Sequence, residues 1–102
     1  MALDQAKIKR LRGIGHKLKP IVTIAENGLS EGVIAETDRA LNDHELIKVT
    51  FTAEDREVRR ELARELLQIT GAKQVQAIGK ILLIYRPVKK PNKRLSNLHR
   101  HI

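Results

Sequence analysis

Four consecutive residues, Ala25-Glu26-Asn27-Gly28, have the composition of an anion-binding loop between a short apolar run and a predicted helix. Asn and Gly both tolerate positive φ, which a tight strand-to-helix reversal demands. Ser30 is a residue type that caps helices, so the helix should begin just after it. Backbone N–H groups at a helix start attract anions such as phosphate. This segment therefore predicts a phosphate-binding loop, although turns that bind nothing share the same pattern.

Side chains suited to catalysis are few. The chain contains no cysteine, which excludes disulfides, thiolate metal sites and cysteine nucleophiles. The serines, Ser30 and Ser96, have no histidine and acid arranged nearby in sequence. The sequence therefore contains no recognisable arrangement for nucleophilic catalysis. His99 and His101 form an HxH pair, but two ligands make a poor metal site. We therefore expect a protein that is not an enzyme and that holds no metal or cofactor.

Positive charge is large and unevenly distributed, with a formal net charge of +8. Residues 5–25 contain six Lys/Arg and no acid, and residues 66–102 contain eight and no acid. Residues 26–65 hold eleven acids against six bases. Basic ends around an acidic centre are expected when one surface attracts a polyanion, whereas a merely soluble basic protein needs no such segregation. An acidic membrane is a weaker candidate, because no lipidation motif and no basic helix with Trp or Phe anchors is present.

The aromatic content indicates how a nucleic acid would be bound. Phe51 and Tyr85 are the only aromatic residues of the Phe, Trp and Tyr types, and both lie on predicted strands that also supply the core. Modules that stack splayed bases need exposed rings. We therefore expect recognition of phosphates and sugars, with the shape of the nucleic acid, and not its base sequence, selecting the target.

The chain length of 102 residues leaves room for one domain with one modest core. No apolar run approaches the roughly 20 residues that a spanning helix needs, and no signal peptide is apparent. The expected protein is a cytoplasmic monomer.

Three stretches have the apolar spacing that is typical of helices. Their predicted ranges are Asp4 to about Gly15, about Ser30 to Leu41, and Thr52 or Asp55 to Gly71. The third is the clearest, because its first-turn acids suit the positive end of the helix dipole. Its predicted apolar stripe consists of Val58, Leu62, Leu66 and Ile69.

Four predicted strands alternate with these helices: Ile21 to Ile24, Leu46 to Thr52, Val75 to Ile78, and Ile81 to Tyr85. The last two flank Gly79-Lys80, which fits a type II′ hairpin turn. The last strand is apolar without interruption and should be central. The predicted fold class is thus α+β, a two-layer αβαβαββ domain with a four-stranded mixed sheet. Helices two and three should share one face, and helix one should cover part of the other.

The end of the chain differs in composition from the rest. Pro87, Pro91 and a further run of Lys and Arg predict an extended, flexible segment that contributes nothing to the core. The predicted organisation is therefore a domain at residues 1–87 followed by a basic flexible tail at residues 88–102.

The sequence resembles the bacterial stand-alone CRM domain (chloroplast RNA splicing and ribosome maturation) of the YhbY type over about residues 3–87. Three segments carry the resemblance: RGIGHKLKPIVTIAENGLSEGV (12–33), HELIKV (44–49) and TGAKQVQAIGKILLIYRP (70–87). It implies a fold similar to the C-terminal domain of translation initiation factor 3, with sheet order 1-2-4-3. It also implies RNA binding and association with precursors of the large ribosomal subunit.

The resemblance places the candidate site at a GxxG loop, like that of KH domains, between the first strand and the second helix. The first glycine of that motif is an alanine here, and an acid follows it. We therefore expect the surrounding basic residues to contribute more to RNA binding than the loop itself. The predicted RNA-binding residues are Ala25, Glu26, Asn27, Gly28, Lys9, Arg12, His16, Lys17, Lys19, Lys80 and Arg86.

The predicted function is RNA binding that assists assembly of the large ribosomal subunit by holding the rRNA backbone, with no membrane or small-molecule partner. The alternative is a basic structural component of the mature ribosome. A small enzyme acting on a phosphorylated metabolite is a third hypothesis, disfavoured because no acid–base pair lies near the loop.

Overall fold

The computed structural model describes residues 3–100, so the predicted contributions of Met1, Ala2, His101 and Ile102 lie outside the described residues. None of the helices in this range is long and apolar enough to cross a membrane. The elements in chain order are α1 (Gln5–Gly15), β1 (Pro20–Ile24), α2 (Glu31–His44), β2 (Leu46–Phe51), α3 (Arg56–Thr70), β3 (Lys73–Ile78) and β4 (Ile81–Tyr85).

Each helix begins at a side-chain cap. The Lys7 amide donates to Asp4 Oδ1 at 2.8 Å, and the Val33 amide donates to Ser30 Oγ at 3.1 Å. Asp55 Oδ1 accepts from the Glu57 amide at 2.7 Å, which decides between the two predicted starts of α3. These bonds satisfy amides that have no partner inside the helix. The predicted starts of α1 and α2 are confirmed, whereas α2 continues beyond Leu41 to His44.

The four strands form one mixed sheet in the order β1-β2-β4-β3. β1 and β2 are parallel, while β4 is antiparallel to both β2 and β3. The α+β class, the sheet order and the central position of β4 are therefore confirmed. Both edge strands carry a register shift, between Pro20 and Val22 in β1 and between Gln74 and Gln76 in β3. Such bulges interrupt the row of free backbone groups through which sheet edges can associate.

The core is split by the sheet into two clusters. On one face α2 and α3 pack against Ile47, Leu82 and Ile84, with Leu41 and Leu66 among the buried helix residues. Alternate residues of the same strands point to the other face because side chains alternate along a strand.

On that second face, α1 buries Leu11 against Leu46, Leu83 and Tyr85. The helix lies very close to the sheet at Gly15, where a Cβ would fall 2.5 Å from Leu83 Cδ2. Helices two and three therefore share one face and α1 covers part of the other, as predicted.

The predicted apolar stripe of α3 is wrong at both ends, and at the first of them Val58 is 37% exposed. Ile69 is 54% exposed, and the buried residues of the helix are Leu62, Leu66 and Thr70. The Thr70 hydroxyl donates to the Leu66 carbonyl at 2.7 Å, so this polar residue is buried with its hydrogen bond satisfied. A four-residue spacing from Leu62 thus defines the inner face and turns Ile69 outward.

The C-terminal segment, residues 88–100, lies against the domain. Ser96 is fully buried and donates its hydroxyl proton to Glu45 Oε2 at 2.6 Å. The Asn97 side chain donates to the Leu46 carbonyl at 2.7 Å, and Leu98 packs against the cluster around Leu11. The expectation that this segment contributes nothing to the core is therefore wrong, because its polar residues find partners at the start of β2.

Candidate nucleic-acid interface

The predicted loop is a tight turn at the end of β1. The Gly28 amide donates to the Ala25 carbonyl at 3.2 Å, and Gly28 has φ +118°. Within residues 3–100, Glu45 is the only non-glycine residue with positive φ, so neither Ala25 nor Asn27 adopts that conformation. The turn therefore needs glycine only at its last position, and alanine at the first position is compatible with it. Of the two loop residues that tolerate positive φ, only Gly28 adopts it.

The loop is attached to the end of β2. The Glu26 amide donates to Thr52 Oγ1 at 3.1 Å, and the Thr52 amide donates to the Ile24 carbonyl at 3.0 Å. In the described part of the chain, the amides of Glu31 and Gly32 have no hydrogen-bond acceptor. These free donors lie at the positive end of α2 and suit an anion, although the Glu26 amide is already used.

A basic surface covers the outer side of α1. Lys9, Arg12, His16, Lys17 and Lys19 are all exposed, while Lys7 lies over the Tyr85 ring, 5.2 Å from its centroid. The absence of acids in residues 5–25 leaves this surface without local counter-charges. It can therefore present several phosphate contacts along α1 and the connector that follows it.

The C-terminal segment adds to this basic surface. Arg10 of α1 and Lys17 of the connector that follows it line a groove of about 380 Å³ together with Asn97, Leu98 and Arg100. The fold thus joins the two acid-free parts of the sequence on one face of the sheet. Arg10 and Arg100 were not among the predicted contacts. The acid-free composition of residues 66–102 could have indicated Arg100 as a phosphate contact. The position of Arg100 beside α1, however, depends on the hydrogen bonds of Ser96 and Asn97 to the domain.

Lys80 lies near the loop but already has a partner. It follows Gly79 in the β3–β4 turn, and its Nζ donates to Glu54 Oε1. This hydrogen bond, together with the charge of Lys80 and a smaller contribution from Arg59, lowers the pKa of the Glu54 carboxyl. Both side chains are substantially exposed, so the pair can open to admit a phosphate.

Arg86 has a structural position. Its Nη1 donates to Asp38 Oδ1 at 2.6 Å and to the Thr70 carbonyl at 2.8 Å, and its Nη2 donates to Asn42 Oδ1 at 2.9 Å. The guanidinium therefore joins α2 to the C-terminal end of α3. Arg86 follows β4, whose last residue pairs with the start of β2, whereas the loop lies beside the end of β2. The structure does not bring Arg86 to the loop.

The remaining predicted residues form two separate groups. Lys17 and Lys19 precede β1 and the loop follows it, so the five-residue strand separates them. At about 3.3 Å per residue, Lys19 and Ala25 lie roughly 20 Å apart along the strand. A single phosphate cannot contact both groups, and a continuous interface would have to engage a longer stretch of ligand.

The same region offers no constellation for metal binding. Among residues 3–100, no three His, Asp or Glu side chains are grouped so that they could hold a metal ion. The described residues provide a basic face along α1, a turn followed by two free amides at the start of α2, and a lysine near that turn.

The fold and the loop together define a small α+β domain with a turn in the position of a GxxG motif, ahead of α2. A family model for the CRS1/YhbY (CRM) domain matches residues 3–86. The chain therefore belongs to the CRS1/YhbY (CRM) domain family.

Relatives and a solved structure agree with this assignment. A Pseudomonas aeruginosa protein named a probable RNA-binding protein is 54% identical over 100 residues, covering 98% of this chain and 96% of that protein. A Haemophilus influenzae protein named RNA-binding protein is 49% identical over 77 residues, covering 76% and 78% of the two chains. A Staphylococcus aureus protein with a known solution structure is 34% identical, with a TM-score of 0.77 over 93% of this chain and 98% of that one.

Proposed function

We propose that this protein is a non-catalytic RNA-binding domain that holds RNA backbone on its α1 face, with the turn at residues 25–28 as a second contact. The observation that carries the proposal is the joining of two acid-free basic segments on one face of the sheet. Neutralising several phosphates with Lys and Arg releases counterions, and this release is the main sequence-independent source of affinity for nucleic acid.

Shape, and not base sequence, is the feature of the RNA that this surface is suited to read. Phe51 and Tyr85 are 5% and 4% exposed, so neither ring is available to stack on a base. Lysine and arginine side chains on α1 reach phosphates, and the A-form groove also displays 2′-hydroxyls that DNA lacks. The names of the Pseudomonas and Haemophilus relatives support RNA as the ligand.

The proposed cellular target is ribosomal RNA in precursors of the large subunit. This finer proposal rests on the resemblance to the family and on the shape-reading character of the surface. A sucrose gradient of cell lysate tests it, because an assembly factor sediments with precursor particles. Sedimentation with mature subunits would indicate a structural component of the ribosome, and a position at the top of the gradient would contradict both.

RNA binding itself is tested with a structured RNA hairpin and a DNA duplex of the same length. We expect the hairpin to bind more tightly, and Lys9→Gln with Arg12→Gln to weaken it. The slope of log Kd against log salt should decrease in magnitude by about 1.8, or roughly 0.9 for each lost contact to duplex phosphate. Arg39→Glu is the matched control, since it lowers the net charge by the same two units at an exposed position of α2, on the opposite face of the sheet. Equal affinity for RNA and DNA, or equal losses in the double variant and the control, would overturn the proposed interface.

A further inference from the structure

A second groove lies on the face of the sheet opposite α1. It is bounded by α3 on one side and by β3 and the β3–β4 turn on the other, with a volume of about 740 Å³. On this face β3 presents Gln74 and Ala77, which are too small or too polar to hold a helix against the strand. The groove exists because α2 and α3 cover the rest of the sheet and leave this edge open.

Arginines line the α3 side of the groove. They are Arg56, Arg59, Arg60 and Arg64. Residues four apart on a helix share a face, so positions 56, 60 and 64 form one stripe and Glu57, Glu61 and Glu65 form the neighbouring stripe. The three glutamates are absent from the groove lining. The arginines of α3 thus face the groove, whereas its glutamates lie on the neighbouring face of the helix.

These arginines can exchange their present partners for an anionic ligand. Arg60 pairs with Glu57 at 3.4 Å and Arg64 with Glu61 at 2.6 Å, and all four side chains are more than half exposed. Exposed ion pairs of this kind contribute little to stability. Arg59 is held more firmly, because its Nη1 donates to the Ala53 and Glu54 carbonyls at 3.0 and 2.6 Å. It provides a fixed guanidinium at one end of the stripe.

The floor of the groove is apolar. Ala63 and Leu67 of α3 face Ala77 and Ile81 of the strands, and the first two are half-buried while Ala77 is exposed. A ligand that matches this site carries negative charge along one side and flat or apolar groups along the other. Single-stranded RNA has this character, since its phosphates can contact arginines while its bases stack on guanidinium planes or lie on the floor.

We propose that the α3–β3 groove binds a single-stranded segment of RNA, as a second contact surface distinct from the α1 face. The proposal rests on the proposed RNA-binding function and adds a preference for an unpaired strand at this site. An acidic peptide is the competing ligand, because β3 is an edge strand that could pair with one. The row of arginines over an apolar floor favours RNA, in which charges and stacking groups recur at every nucleotide.

Binding of a fluorescent 12-nucleotide oligouridylate to the full chain tests the proposal. Arg56→Gln with Arg60→Gln should raise Kd at least about tenfold at physiological salt and reduce the salt slope by about 1.4, or roughly 0.7 per single-strand phosphate contact. Arg39→Glu is again the matched control, because it lowers the net charge by the same two units away from the groove, and it should change Kd less than about twofold. Arg56 and Arg60 are exposed, so the variant should keep its fold, and a thermal melt followed by circular dichroism verifies this.

Amide chemical shifts locate the ligand. Hexauridylate added to ¹⁵N-labelled protein should shift the amides of Ala63, Leu67, Gln74 and Ala77. If oligouridylate does not bind, or shifts only α1 residues, the groove proposal fails while hairpin binding by the α1 face can still stand. Shifts in the groove without hairpin binding would overturn the α1 interface and keep the groove. Equal shifts with hexaglutamate would overturn RNA as the ligand of the groove.

Discussion

Ser96 Oγ lies 2.6 Å from Glu45 Oε2, and this hydrogen bond joins the C-terminal segment to the residue between α2 and β2. The Glu45 side chain is almost fully buried, and Glu45 Oε1 also accepts from the Val88 amide at 3.0 Å. Glu45 has φ +63°, an uncommon conformation for a residue with a side chain. The backbone strain at this position is tolerated in a structure in which both carboxylate oxygens have donors.

Replacing Ser96 with alanine should therefore destabilise the protein. Removal of the hydroxyl leaves a buried carboxylate oxygen without its donor, at an expected cost of about 1–3 kcal/mol. Urea denaturation followed by circular dichroism measures the change in the free energy of unfolding. Arg94→Ala is the control, because Arg94 is exposed in the same segment and its substitution should be nearly neutral. Equal stability of Ser96→Ala and the wild type would mean that the segment does not dock in solution.

Gly15 and Gly13 should respond in opposite ways to substitution by alanine. A Cβ at position 15 would lie 2.5 Å and 2.8 Å from the two methyl carbons of Leu83, which is itself buried, whereas a Cβ at position 13 meets nothing within 4 Å. Overpacking costs about 1–3 kcal/mol, and the higher helix propensity of alanine returns at most about 1 kcal/mol. We expect Gly15→Ala to lower the free energy of unfolding and Gly13→Ala to raise it. Denaturant midpoints of the two variants check the sign, and stabilisation by both would contradict the close contact between α1 and the sheet.

Arg86 should contribute to stability without contributing to RNA binding. Arg86→Met leaves Asp38 and Asn42 without their shared donor, and hydrogen bonds to charged groups contribute about 1.5–3 kcal/mol each. We expect a loss of at least about 2 kcal/mol in the free energy of unfolding. Arg86→Lys should also be destabilising, because one ammonium cannot reproduce the planar fork of a guanidinium.

The affinity of folded Arg86→Met for a structured RNA hairpin tests whether Arg86 contributes to RNA binding. It should equal that of the wild type when measured at a temperature well below the melting transition. A large loss of affinity in a fully folded variant would return Arg86 to the interface where the sequence had placed it.

The pKa of the Glu54 carboxyl depends on Lys80. Lys80→Met removes the hydrogen bond and the charge that lower this pKa, so the titration midpoint of Glu54 should move upward. A folded pKa below the unfolded one stabilises the protein at pH values above the unfolded pKa, and that contribution is lost as the pH falls through the folded pKa. The stabilising contribution is therefore present at neutral pH, and only its loss is confined to acidic solution. Carbon-13 NMR of the carboxyl measures the midpoint, with Lys73→Met as the control, and an unchanged midpoint in Lys80→Met would show that the pair does not form.

A single added negative charge distinguishes the loop from diffuse basic charge. Asn27→Asp changes charge but hardly changes shape, and Asn27 has no positive φ that the substitution could disturb. If loop amides hold a phosphate, the new carboxylate should cost about 1–2 kcal/mol of RNA affinity, which corresponds to roughly a five- to thirtyfold change in Kd. Asn92→Asp is the matched control, because it retains the oxygen that accepts from the Arg94 amide. Equal losses for the two variants would assign RNA binding to bulk charge alone.

The features predicted correctly from sequence are those set by neighbouring residues. Asp4 and Ser30 cap helices through bonds that span three residues, and the apolar run Ile81 to Ile84 specifies a strand that is covered on both faces. Local spacing is enough to predict such elements, because the partners lie within one turn of helix or follow from the alternation of a strand.

The features that sequence reasoning missed depend on distant partners. Ser96 is polar and lies in a basic, proline-containing segment, so its burial follows only from Glu45, which is 51 positions away. Arg86 has the same charge as the other predicted contacts, and only the positions of Asp38 and Asn42 distinguish it as structural. The groove beside α3 requires knowledge of which strand the helices leave uncovered. Helical spacing alone could have identified the arginine stripe, but not the space that it faces.

The central strand β4 has a consequence for the unfolded chain. Ile81 to Tyr85 form an uncharged, β-prone window of five residues, which is the type of segment that associates between chains when exposed. Lys80 and Arg86 directly flank this window. Charges at such flanking positions oppose the stacking of identical strands from different molecules. Lys80 pairs with Glu54 in the native state, and Arg86 joins α2 to α3. During folding, the same two charges also oppose aggregation of this strand.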